Sequence, residues 1–297
     1  MPSSVDSDVV EQRILEQGHR IRSYGAVTGW AALRWRGAAY FDGTSRSGAT
    51  LPVPLVVGNK HLAKDPRVSI SEAHIAPSER TLTGGIWCAT VQRALFDEMR
   101  HATDLRSAVV AMDMAAAGGL ISVGLMSRYV ELRPAWTGVP LVRRALALAS
   151  NDSCSPPETH LRLTWVIDAQ LDAPLCNRPV FDHAGNLLGY PDLLDPVSGT
   201  VGEYDGLDHR AAAQHRSDVD REARYRDHGL EYFTIVGGDM RRRDRVVQRI
   251  QSTRRRALFL PPDQCRWTLE PPSWWAEEDD LDTRLVRTQE AAYLVRD

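Results

Sequence analysis

The chain has 297 residues, 43% of them hydrophobic and 25% charged, which suits one large or two ordinary globular domains and excludes a disordered or fibrous chain. No apolar run approaches the ~20 residues of a membrane helix, and the acidic, polar start at residues 1–6 is no secretory signal, so no membrane partner and a cytoplasmic location are expected. Net charge is −3, and Cys88, Cys154, Cys176 and Cys265 form no C-x-x-C pair, which argues against a uniformly basic chain, a zinc site or a disulfide framework.

In chain order, residues 9–21 read as a helix. Thr28 precedes a short apolar helix at 29–35 and is placed to cap it through its hydroxyl. A glycine- and serine-rich stretch covers 42–50. A strand follows at 51–57, bounded by Gly58-Asn59, and 69–75 alternates as a second strand would. From 90 to 117 the spacing turns helical. Val91, Ala94, Leu95 and Met99 define one amphipathic element, and Leu105, Ala108, Val109, Met112 and Ala116 a second, ended by Gly118-Gly119. A third helix at 139–149 stops at Ser150-Asn151-Asp152-Ser153. The first domain, mixed α/β and rich in helix, is therefore set at 1–150.

The second half alternates differently. Residues 158–171 read as a helix. Strands at 178–182, 187–195 and 200–205 form a meander joined by turns at 183–186 and 196–199. A long polar helix spans 209–229, a fourth strand 230–236, and a basic helix 239–256. Helix, three strands, helix, strand, helix describes a mixed sheet with helices on its faces, an α/β arrangement over 151–258. Residues 259–297, with proline pairs and the acidic run Glu277-Glu278-Asp279-Asp280, read as a tail or an appended helix.

The chemistry-bearing segment is Val201-Gly202-Glu203-Tyr204-Asp205-Gly206. Strand alternation sends Glu203 and Asp205 to one side and Tyr204 to the other. Two like charges about 4 Å apart repel by about 4 kcal/mol at an effective dielectric of about 20. A cation, an arginine or a raised pKa must offset that, and a divalent ion with oxygen ligands does so most simply. Asp192, on the preceding strand in Gly189-Tyr190-Pro191-Asp192, would pair beside Glu203, with Pro191 marking an edge or a bulge. Asp205-Gly206 is also a common turn dipeptide, and Asp192 also suits a strand end. Glu158 follows Ser155-Pro156-Pro157: it is either the last residue of a capping box or a further carboxylate near the cluster. His209 stands where a general base would, or simply at a helix start. Arg216, Arg221 and Arg224 either meet phosphates or pair along their helix. Positive charge is nearly all arginine, lysine occurring only at Lys60 and Lys64, and Arg241, Arg242 and Arg243 open a basic helix suited to a phosphate backbone.

The helix with Glu158, the strand ending Pro191-Asp192, the strand with Glu203-Tyr204-Asp205, then His209 and a helix, resemble the PD-(D/E)XK nuclease superfamily over 151–258. The branch that includes very-short-patch-repair endonucleases is most similar, through the E-x-D-G-x-x-H stretch from Glu203 to His209. The resemblance implies a restriction-endonuclease-like sheet and hydrolysis of DNA phosphodiesters with Mg²⁺, or Mn²⁺ in its place. It implies that Asp192 and Glu203 ligate the metal, helped by the Tyr204 carbonyl and Glu158. The pattern's usual lysine is replaced by Asp205, and the domain has no lysine, so an arginine or His209 would have to act instead. The first half is similar to antitoxin-like regulators of abortive-infection systems at Val27-Thr28-Gly29-Trp30-Ala31-Ala32-Leu33 and Arg93-Ala94-Leu95-Phe96-Asp97, which implies recognition of DNA or a protein partner.

The expectation is a metal-dependent endonuclease in phage defence or DNA repair. The rival is a DNA-binding regulator or antitoxin whose nuclease fold is degenerate; a third option acts on RNA.

Overall fold

The computed structural model describes residues 9–21, 24–58, 60–206, 212–276 and 279–294, except the side chains of 212–219 and 289–294. They divide into two compact units, one ending at Asn151 and joined by the segment from Asp280, the other spanning Asp152–Asp279. Both are mixed α/β. Among the described residues no helix is long and apolar enough to cross a membrane.

The first unit contains α1 (Val10–Gly18), β1 (Ala26–Val27), α2 (Gly29–Trp35), β2 (Val53–Val56), β3 (Val68–Ser71), β4 (Arg80–Thr83), β5 (Ile86–Ala89), α3 (Val91–Arg100), α4 (Leu105–Ala117), α5 (Val123–Glu131) and α6 (Val139–Leu146). Its five strands run β3-β2-β1-β5-β4. The hairpin β4–β5 was not foreseen. It turns at Gly84 and Gly85, whose φ angles of +56° and +85° suit a two-residue turn that follows strand twist. Thr28 does not cap α2 with its side chain; its hydroxyl donates instead to Asp97 (2.7 Å). The partly buried Glu98 carboxylate accepts from the Trp30 amide at 2.8 Å and takes the capping role from a distant part of the chain. Arg93, buried on α3, pairs with Asp97 and Glu79 at 2.9 Å each, so a charged cluster lies inside this unit.

The second unit contains α7 (Pro156–Leu163), continued by a π-helical turn at Thr164–Asp168, then β6 (Val180–Asp182), β7 (Leu187–Gly189), β8 (Leu193–Asp195), β9 (Thr200–Asp205), α8 (Ala212–Asp227), β10 (Glu231–Val236), a 3₁₀ turn at Asp239–Arg241, α9 (Arg243–Arg256) and β11 (Trp267–Thr268). The expected three-strand meander is two separate sheets. One has the order β11-β6-β7, the other β10-β9-β8 with β10 parallel and β8 antiparallel to β9. The predicted strand 187–195 breaks at Tyr190-Pro191-Asp192. Pro191 has no amide to donate, and a side chain on Gly189 would run into the Tyr225 hydroxyl.

The sheet β10-β9-β8 is covered on both faces. Leu193, Phe233 and Ile235 pack with Leu161, Trp165, Val246 and Ile250, joined by the Tyr204 ring. Leu194, Val201 and Tyr232 pack with Val180, Leu188, Tyr225 and Trp267. Trp165 stacks near Phe233, their centroids 6.3 Å apart. The stretch 259–297, read as a tail or an appended helix, does end in a helix but is divided: β11 pairs with β6 in the second unit, and α10 (Leu281–Leu294) belongs to the first, where Asp282 accepts from the Ser122 hydroxyl at 2.6 Å.

Candidate functional site

The register of β8 and β9 sets Leu193 against Gly202, Leu194 against Val201 and Asp195 against Thr200. One step further the same register brings Asp192 opposite Glu203. Directly opposed residues share a face, here the one lined by Leu194 and Val201. The Tyr204 amide donates to Asp192 Oδ2 at 2.7 Å, which anchors the carboxylate where β8 begins. Tyr204 sends its ring to the opposite face, as alternation requires.

Glu203 is 6% exposed. Its Oε2 accepts from the Arg221 guanidinium at 2.7 Å and from the Tyr232 hydroxyl at 2.9 Å. Arg221 comes from α8 and Tyr232 from β10, so three elements converge on one carboxylate. Burial pushes the Asp192 carboxyl up to about 7; repulsion by Glu158 and Glu203 adds to this, while the Tyr204 amide and Arg221 oppose it. The repulsion read from the sequence was between Glu203 and Asp205; on Glu203 an arginine offsets its charge, and a second like-charge pressure, on Asp192, goes with a raised pKa. Tyr232 and Tyr225 are also pushed up, first by burial and then by the Glu203 charge, so both phenols stay neutral donors. The Tyr225 hydroxyl is buried with no hydrogen-bond partner among the described residues.

Glu158 is held at the start of α7. Its Oε1 accepts from the Ser155 hydroxyl (2.7 Å), and its Oε2 from the Cys154 amide and Asn177 Nδ2 (2.9 Å each). It therefore performs the helix-start role its motif allows, while its charge still reaches Asp192. Asp205 closes β9 opposite Val236 and is partly exposed. His209 lies outside the described residues. Arg216 lies in α8, and its side chain is likewise outside them. Arg224 is exposed on α8, and Arg241, Arg242 and Arg243 are exposed before and at the start of α9. Among the described residues no three His, Cys, Asp or Glu side chains are grouped to hold a metal.

Sequence reasoning missed Tyr225, Tyr232 and Asn177. A signal for the first exists: Tyr225 follows Arg221 by four residues, hence on one helix face. Tyr232 carries none, because a tyrosine in an apolar strand looks like core. Arg221 was named, but for phosphate or its own helix rather than for Glu203.

Compared with protein-family models, curated proteins and solved structures, the chain matches none of them.

Proposed function

We propose that Asp152–Asp279 is a restriction-endonuclease-like domain of the PD-(D/E)XK kind that hydrolyses DNA phosphodiesters with Mg²⁺, or Mn²⁺ in its place, in phage defence or DNA repair. The observation that carries this reading is the register of β8 and β9, which continued one step beyond Leu193–Gly202 sets Asp192 opposite Glu203, with Asp192 anchored by the Tyr204 amide. A helix before the hairpin, a helix after it and a parallel strand beside β9 agree with that kind of sheet.

The donor set suits a hard cation. The Glu203 charge acts on the Asp192 carboxyl, which is raised toward neutrality first by burial and then by neighbouring negative charge, and the Tyr225 hydroxyl, which also feels Glu203, has no partner among the described residues. Asp192 and Glu203 would hold the ion, with the Tyr204 carbonyl completing the set and Glu158 contributing its charge. A bound divalent ion supplies a low-pKa water and neutralises the scissile phosphate. Arg221 fills the place of the absent lysine: it is the cation already on Glu203, at the carboxylate that would hold the ion. Tyr232 fixes the Glu203 carboxylate. The exposed Arg224, Arg241, Arg242 and Arg243 supply phosphate contacts. The first unit serves recognition, of DNA or of a protein partner, as the abortive-infection regulators it resembles would.

A second reading has its own support. Arg221 already neutralises Glu203, and Asp152–Asp279 contains no lysine. On that reading the domain binds DNA as a regulator and does not cut it. Nicking of supercoiled plasmid decides between them. The enzyme reading expects Mg²⁺-dependent nicking by the wild type, lost in Asp192→Ala and in Glu203→Ala. DNA binding equal in all three proteins, with no cleavage by any, hands the function to the regulator. An RNA substrate run under the same metal titration tests the remaining option.

A further inference from the structure

A ladder of aromatic rings begins at Tyr190, two residues before Asp192. Tyr190 is 46% exposed and Trp274 63% exposed, and the two belong to one contiguous patch, the kind of exposed apolar surface that marks a binding site. They are not loose. Trp275 joins them, its ring 6.3 Å from Tyr190 and 5.6 Å from Trp274. Trp275 is rooted in turn by an edge contact with Phe181, 5.0 Å away and fully buried. A main-chain bond from the Trp275 amide to the Pro272 carbonyl (2.8 Å) fixes the turn that carries both tryptophans. Gly185 lies under that turn, where a Cβ would sit 3.1 Å from Pro272 and 3.4 Å from the Trp274 indole nitrogen.

The position ties these rings to the site. Tyr190 is two residues from Asp192. The Asn177 amide donates to the Pro191 carbonyl at 3.0 Å, which sets the exposed Arg178 next to the same segment. Arg221, whose guanidinium pairs with Glu203, passes the same strand end, its Cδ 3.4 Å from where a Gly189 Cβ would be. Flat, anchored, solvent-facing rings with an exposed arginine, Arg178, on the adjoining segment match one ligand chemistry: unstacked bases on a phosphate backbone. Every base offers a π-face to such a ring, and the cations follow the strand. Bases inside a duplex are already stacked and present only their edges.

We infer that Tyr190 and Trp274 form a stacking platform for unpaired bases of a DNA strand that runs past Asp192, so that the substrate is single-stranded or carries a single-stranded segment next to the cleavage point. This rests on the nuclease-like reading of the second unit for its purpose, but not for its test. Binding is measured by fluorescence anisotropy on the full chain in EDTA, where no metal-dependent cutting occurs. The probes are a labelled oligothymidylate of about 15 nucleotides and a duplex of equal length at the same salt concentration. Tyr190→Ala and Trp274→Ala are each expected to weaken oligothymidylate binding about tenfold and leave duplex binding unchanged. Trp274→Phe should keep most of the affinity, since a ring remains.

The platform is overturned if wild type does not bind the oligothymidylate, if both alanine variants bind it as wild type does, or if they lose duplex binding equally. The last two results would leave the rings as a surface for something other than unpaired bases, such as a protein. Plasmid nicking is scored separately. Ring-dependent binding without any Mg²⁺-dependent cleavage removes the nuclease and keeps the platform; cleavage with ring-independent binding does the reverse.

Discussion

Asp192 holds a carboxyl that ionises near 7 in the folded chain, against 3.8 for the ordinary group. A raised acid pKa destabilises the fold wherever the group must be charged: the penalty is complete above about pH 7, shrinks as the pH falls toward 4, and is gone below. At about 1.4 kcal/mol per pH unit the full effect is a few kcal/mol at most. Asparagine at this position removes the charge and keeps an oxygen for the Tyr204 amide. Asp192→Asn is therefore expected to unfold at higher urea concentration than wild type at pH 8, with the difference closing as the pH is lowered to 4. Equal midpoints at both pH values would show that Asp192 is not held under electrostatic strain. Such a carboxylate is typical of a site built for something other than stability. Glu203 instead carries an ion pair with Arg221 and a hydrogen bond from the Tyr232 hydroxyl.

At the scale of elements, β9 is where sequence and structure agree most closely. Residues 200–205 were read as a strand with Glu203 and Tyr204 on opposite faces, and Glu203 meets Arg221 and Tyr232 while the Tyr204 ring joins the other core. Its neighbour was misread because the apolar run 187–195 looks continuous. Only the missing amide of Pro191 and the crowding at Gly189 by Tyr225, from a helix more than thirty positions away, divide it between two sheets. The cap of α2 failed for the same kind of reason: Asp97 and Glu98, distant in sequence, took over Thr28 and the helix start. Gly202 offers a test of the β9 packing. A Cβ there would run into the Phe233 ring, so Gly202→Ala should cost about 1–3 kcal/mol through overpacking. An unchanged urea midpoint would contradict the close approach of the two strands.

The arginines flanking α9 belong to the same scale. If Arg241, Arg242 and Arg243 each meet a phosphate, replacing all three by glutamine should flatten the log–log salt dependence of DNA binding by about 2.7. An unaltered slope would mean that they form a solvated face.

For the whole molecule, composition and spacing were enough to see two mixed α/β regions and a break near 150. They did not show that the chain returns at its end, with β11 completing a sheet of the second unit and α10 joining the first. Those last elements are short or polar, and their places are decided by partners, Phe181 and Asp182 for β11 and Ser122 for α10, that no local pattern reveals. Glu203 was legible because a carboxylate in mid-strand is costly anywhere in a core; Asp192, just ahead of β8, was reached only through the expected pairing of the two strands. The tyrosines and the arginine around the pair were not, since each is unremarkable in its own segment.

The central claim is that Asp192 and Glu203 share one divalent ion. Titration calorimetry of the full chain with Mn²⁺ at pH 8, where Asp192 is charged, tests it without relying on any DNA substrate. One ion per chain should bind to wild type, and none to folded Asp192→Asn or Glu203→Gln. Wild type that binds no ion, or variants that bind it as wild type does, would contradict the account.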